Sequence, residues 1–286
     1  MSMNKTLLAV ALATAGLSAN VMALSFTDGD FNGSVDIGGT ITVPTATNQW
    51  QWATGSGLDT FTHSVTVMTN GYKTLTIPMT ADTPLLVGQT KAATVGAVGG
   101  VGITPRISLM QADGTTPVAI TYKGTADGKG DMTLPVVDGA TPTNVLGSAV
   151  VNVKVAGLGV YRYNGVVGAT SGHDKDGLSA FRGAIPTAIG AAIPSEVGAS
   201  TWIASLGGHD ISALTGQLTT LSGVDSSVIT EHNGVSTVSM AYPDAIYSGA
   251  YGLGIASGDN IVVNFTNPVA AETQWKARLN IAVTYL

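Results

Sequence analysis

Residues 30–43, DFNGSVDIGGTITV, place Phe31, Val35, Ile37, Ile41 and Val43 on one side of an extended chain. Asn32, Ser34, Asp36, Thr40 and Thr42 fall on the other side. Period-two alternation of this kind is the mark of a strand with one buried face. At about 3.3 Å per residue the stretch would reach roughly 40 Å, the length of a small sandwich. Glycines at 33, 38 and 39 weaken it as a free-standing element. Two readings fit: an ordinary first strand, or a strand completed by another chain.

The same alternation recurs through the chain. Residues 73–79, 84–89, 103–109, 117–122, 131–137 and 147–158 read as strands, as does 63–68 with Val65 and Val67 on one side. Pro78 sends its strand to an edge or ends it. Trp50 and Trp52 share a face and are expected as core anchors. From about 160 to 225 the text becomes rich in Ala, Gly and Ser. Residues 178–190 could hold a short helix. Residues 210–221 space Ile211, Leu214, Leu218 and Leu221 as a helix does, with Asp210 as N-cap. Strands resume at 236–242, 250–255, 261–265 and 278–285, where Leu279, Ile281, Val283 and Tyr285 share one face. The fold expected is an all-β sandwich carrying an inserted, partly helical subdomain.

An N-terminal leader is expected at 1–23: Lys5, the apolar run 7–17, then Val21 and Ala23 before the cleavage point. That makes Leu24 the first mature residue. The 286-residue chain has no cysteine, so stability must come from burial or assembly. Net charge is −6 with no basic cluster, which argues against nucleic acid. His63, His173, His209 and His232 show no metal-ligand spacing, and no G-x-S-x-G elbow exists. The sequence HDKDG at 173–177 lacks the alternating ligands of a calcium loop. No enzyme activity, cofactor or metal is expected.

Three stretches carry a family likeness. DFNGSVDIGGTIT at 30–42, PLLVGQTKAA at 84–93 and AYGLGIASGDNIVVNFTNPVAAETQWKARLNIAVTYL at 250–286 resemble the FaeG-type fimbrial subunits of enteric bacteria. The glycine that many pilins carry upstream of the terminal tyrosine has no clear counterpart here. The resemblance implies an incomplete immunoglobulin-like sandwich completed by donor-strand exchange, a known mode of β-augmentation. Residues 24–43 would be the donor extension, with Phe31, Val35, Ile37 and Ile41 as knobs and Gly39 as the tight point. Residues 44–286 would be the body. Leu279, Ile281, Val283 and Tyr285 would form the strand beside the groove, which a periplasmic chaperone grips first.

The partners implied are identical subunits in a fibre, that chaperone, an outer-membrane usher and host glycans. The destination implied is the cell surface, through the periplasm. By the same analogy the glycan-binding surface would lie at about 160–215, with Tyr161, Tyr163, Asp174, Lys175, Phe181, Arg182 and Trp202 as candidates. A purely structural pilin and an outer-membrane β-barrel are the competing readings. The barrel needs aromatic girdles, which a chain with 6% aromatic residues hardly supplies.

Overall fold

A computed structural model of the chain describes residues 49–175, 179–237 and 239–285. The alternating stretch at 30–43, with its candidate donor residues, lies outside them. The strands run β1 Trp50–Thr54, β2 Thr74–Pro78, β3 Thr83–Thr90, β4 Thr94–Val95, β5 Pro105–Met110, β6 Thr121–Tyr122, β7 Lys129–Asp138, β8 Val145–Tyr163 and β9 Val166–Gly172. Helices α1 Glu196–Ser205 and α2 Ile211–Ser222 follow. The chain then returns to strands: β10 Glu231–Ser236, β11 Ile246–Ile255, β12 Asn260–Phe265, β13 Trp275–Lys276 and β14 Asn280–Tyr285.

β8 is the spine. Its 19 residues outrun any neighbour, so it changes partners halfway. The first half lies between β7 and β12, with Val151 opposite both Met132 and Ile261. The second half lies between β11 and β9, with Leu158 opposite Ala250 and Ser171. The path β1-β3-β11-β8-β12-β2 is antiparallel throughout and, among the described residues, ends in two edges without closing on itself.

Alternation along β8 feeds two cores. Val151, Val153 and Val155 enter one with Leu75, Ile77, Ile107, Leu109, Met132, Tyr251 and Val263. Here the small sheet β5–β14 packs across the large one, making an immunoglobulin-like sandwich. Ala156, Leu158 and Val160 enter the other with Trp202, Ile203, Leu206, Leu214 and Leu218 of the helical layer. The expected tryptophan anchors hold: Trp50 is buried, stacks on Trp52 at 5.7 Å, and donates to the Ile103 carbonyl.

The helices follow their end signals. Asp210 caps α2 by accepting from the Ala213 N–H, and Gly223 closes it with a left-handed φ of 68°. Ser195 caps α1 by accepting from the Gly198 N–H. The short helix expected at 178–190 is absent from its described part, which holds only a 3-10 turn at Ile189–Ala191. Instead Arg182 donates to the Pro105 carbonyl and accepts from the Ile107 N–H, so this segment runs along β5. Gly183 makes the approach possible, since a Cβ there would lie 2.0 Å from the Ile107 carbonyl oxygen. Residues 63–68 also depart from strand: Ser64 caps a 3-10 turn at Val65–Val67. The strand expected at 236–242 is displaced to Glu231–Ser236, where it pairs with β9.

One amide fastens the helical layer. Gln217 Oε1 accepts from Thr90 Oγ1 at 2.7 Å and from Ser248 Oγ at 2.6 Å. Its Nε2 donates to the Thr90 carbonyl at 2.7 Å. Thr90 and Ser248 are fully buried. Gln217→Ala would take three short bonds from Thr90 and Ser248 and leave their hydroxyls only each other and the Gly249 backbone at 3.1–3.3 Å, so it should cost about 1–3 kcal/mol. Urea unfolding of the variant beside the parent checks this; an unchanged midpoint would contradict it.

Candidate functional site

β14 is paired on one edge. Its partner is β5, in a register that sets Ile281 opposite Leu109 and Val283 opposite Ile107. β5 is held on its far side too, by Arg182 and by the Val118 N–H bonded to the Leu109 carbonyl. Among the described residues no strand lies along the other edge of β14. The two strands therefore differ in cover. Ile107 and Leu109 are 2% and 6% exposed, whereas Leu279, Ile281, Val283 and Tyr285 are all only half-buried. An apolar row beside a ladder with no strand on it is what an added strand would complete.

The ends of β14 are braced. At its start, Asn280 Nδ2 donates to the carbonyls of Gln111 and Ala112. At its end, the Tyr285 hydroxyl accepts from Trp52 Nε1 at 2.9 Å. Partial burial pushes the Tyr285 phenol above its usual range. These contacts hold the strand in place without covering its outer edge.

A second feature lies on the helical layer. Val197, Ser200, Thr201, Asp210, Ser212 and Thr215 are among the residues lining a groove of about 510 Å³ between α1 and α2. Six of its ten lining residues are serine or threonine, although most of the exposed wall is apolar. Several are already engaged with helix carbonyls, as Thr201 is with Val197 and Thr215 with Ser212.

The glycan candidates separate. Phe181 is a core residue, its ring 5.5 Å from Trp50 and 5.8 Å from Tyr251, so it offers no face to a ligand. Trp202 is 4% exposed on the inner face of α1 and donates to the Gly252 carbonyl, with Lys154 Nζ 4.9 Å from its ring. Both are corrections to the sequence reading, which could not separate a buried ring from an exposed one. Arg182 is half-buried and spends its backbone on β5. Asp174 and Lys175 follow the C-terminal end of β9, the Asp174 N–H bonded to Pro186. Tyr161 and Tyr163 lie against its beginning. The seven do not converge.

Tyr161 and Tyr163 instead meet two tyrosines that the sequence reading passed over. Tyr247 is opposite Tyr161 across β11 and β8, with ring centroids 6.4 Å apart. Tyr242 is 6.4 Å from Tyr163. The Tyr161 hydroxyl accepts from Asn233 Nδ2 at 2.8 Å. Burial raises the phenols of Tyr161 and Tyr247 above their usual range. No spacing signal joins Tyr161 to Tyr247; only the strand register does. No cluster of potential metal ligands occurs among the described residues.

Known proteins give the family. A family model described as "Fimbrial, major and minor subunit" matches residues 3–286. The K88 fimbrial protein AC of Escherichia coli is 37% identical over 290 residues, covering 99% of this chain and 100% of that protein. The K88 fimbrial protein AD of E. coli is 35% identical over 293 residues, with the same coverage. The F41 fimbrial protein of E. coli is 26% identical over 303 residues, again with 99% and 100% covered.

The turn that braces β14 should survive acid. Asp113 is held down to about 2 by the Thr116 hydroxyl first, then by the N–H groups of Thr116 and Thr115. A depressed carboxyl stabilises the fold at neutral pH, and the contribution is lost as pH falls through the folded value. The Thr115 and Thr116 amide signals should therefore titrate near pH 2. A midpoint at the ordinary carboxyl value of about 3.9 would contradict it.

Proposed function

The chain belongs to the family of fimbrial major and minor subunits, and from that premise we propose that it polymerises by lending residues 24–43 to the open edge of β14 in a neighbouring subunit. Its relatives are surface fimbriae, so it is a K88-type fimbrial subunit, exported to the cell surface, and not an enzyme. The observation that carries the strand-exchange reading is the half-covered row Leu279, Ile281, Val283 and Tyr285 on a strand paired along one side.

The donor is chemically suited to that row. Phe31, Val35, Ile37 and Ile41 alternate at strand spacing and would enter the sandwich core as knobs, with Gly39 where the backbones approach. Four such side chains at about 1.5–3 kcal/mol each supply roughly 6–12 kcal/mol, an upper figure because the free segment already hides some surface. Ladder hydrogen bonds add register and remove an edge that would otherwise aggregate. The contact is head-to-tail and does not close, which makes a filament. On this reading residues 1–23 are a leader, 24–43 the donor and 44–286 the body. A periplasmic chaperone occupies the β14 edge before exchange, and an outer-membrane usher presides over it.

The fibre is also an adhesin on this reading. The hydroxyl-lined groove between α1 and α2 supports that role, because it lies in the insert and its wall offers many hydrogen-bonding groups suited to sugar hydroxyls.

Deleting residues 24–42 should leave an exported subunit that makes no fibres, as electron microscopy of the cell surface would record. Normal fibres from that deletion would end the strand-exchange reading. Purified fimbriae should bind host-type glycans on an array, and Thr201→Trp, which fills the groove, should lower binding about tenfold or more. Fimbriae that bind no glycan would leave a purely structural pilin.

A further inference from the structure

We propose that the apolar patch formed by Val95, Val98, Val101, Tyr163 and Tyr242 is the surface on which a subunit's body abuts the subunit that receives its donor strand. The inference rests on the strand-exchange reading and adds a second, body-to-body contact to it.

The patch surrounds the point where the donor leaves. β1 runs away from this end of the sandwich, so the chain reaches Trp50 from it. Gln49 is fixed there, its carbonyl accepting from the Lys91 N–H. From Lys91 the chain passes into β4, where Val95 stands opposite Ile246. The Gly96 N–H bonds the Ala245 carbonyl, and the Ala97 N–H bonds the Met240 carbonyl. These bonds bring the Val98–Gly100 turn beside the segment carrying Tyr242. Tyr163 joins from the end of β8, 6.4 Å from Tyr242.

Packing within the subunit leaves these side chains exposed, from 41% at Tyr163 to 77% at Val98. Tyr161 and Tyr247 already cap the core at this end, and Tyr247 is buried. Val98 is 77% exposed and Tyr242 63%. Large apolar side chains gathered on a surface in this way mark a contact. Tyrosine suits one, since it gives broad contact area at small entropic cost.

Chain length selects the occupant. Only residues 44–49 separate the donor segment from Trp50. Fully extended, the seven steps from Val43 to Trp50 span roughly 25 Å. Pro44, with its fixed φ, stiffens the first of them. A donor seated in the neighbour's groove therefore keeps that neighbour's body within roughly 25 Å of Gln49, at the end of the sandwich that carries this patch. In an antiparallel addition, the Val43 end of the donor meets the Asn280 end of β14. The acceptor surface is then the turn at residues 111–116 and Leu279. The fibre becomes a stack of seated bodies instead of beads on free linkers.

The chain has no cysteine, so a single introduced thiol reports on one place. In fimbriae assembled from the full chain, Val98→Cys, Tyr242→Cys and, on the helical flank, Val197→Cys are labelled with a maleimide. Rates are referred to the same chains unfolded in guanidinium. In the subunit Val98 is more exposed than Val197, 77% against 58%. A seated contact reverses that order in the fibre, with Val98→Cys slowed about tenfold or more relative to Val197→Cys. If both patch thiols react as fast as Val197→Cys, the patch is open and the inference falls. It falls as well if added glycans, and not assembly, protect them. Should Val98→Cys or Tyr242→Cys fail to assemble, the other carries the measurement; failure of both, with Val197→Cys fibres normal, supports the contact. Fibres that survive deletion of residues 24–42 would sink the strand-exchange premise itself. Fibres lost on deletion, together with fast patch labelling, would sink only this contact.

Discussion

The two-sided burial of β8 organises the molecule. One strand sends Val151, Val153 and Val155 into the sandwich and Ala156, Leu158 and Val160 under the helices. A register slip of one residue would exchange the two sets, so both layers constrain the same pairing. That double constraint explains how a chain without disulfides sustains a 19-residue strand. It also explains the small residues along the spine. At Gly157 a Cβ would lie 2.6 Å from the Phe181 ring, so the ring seats directly on backbone.

Electrostatics contributes little to this scheme. Only 10% of the residues are charged, and the ion pairs among the described residues are few. One further hydrogen bond reaches inward, between His232 Nδ1 on β10 and Glu196 Oε1 at 2.6 Å. Glu196 is buried in the first turn of α1, where a carboxylate suits the helix dipole. The pair ties the strand following the insert to the helix within it. Burial of apolar side chains in the two cores carries the rest.

That remaining surface is arranged by position along the sandwich. One side carries the half-covered row of β14. One end carries the tyrosine and valine patch beside Gln49. On the proposed reading each has a separate use: the row would take a neighbour's strand, the patch a neighbour's body. The helical layer lies on the opposite face of the large sheet.

Period-two alternation made most strands legible, together with the shared face of Leu279, Ile281, Val283 and Tyr285 and the capped helix after Asp210. Those signals are local, because strand facing and helix capping depend on residues only a few positions apart. Helix α1 escaped because Gly198 and Thr201 interrupt it and Val197 faces solvent, leaving no single apolar stripe. Phe181 and Trp202 read as well for a binding face as for a core, since an aromatic ring carries no mark of what covers it. Alternation along the chain by itself established an all-β body and an alternating, strand-length lead segment. Which edge is left open, which rings are buried and which tyrosines meet were decided only in three dimensions, because each depends on pairing between residues tens of positions apart.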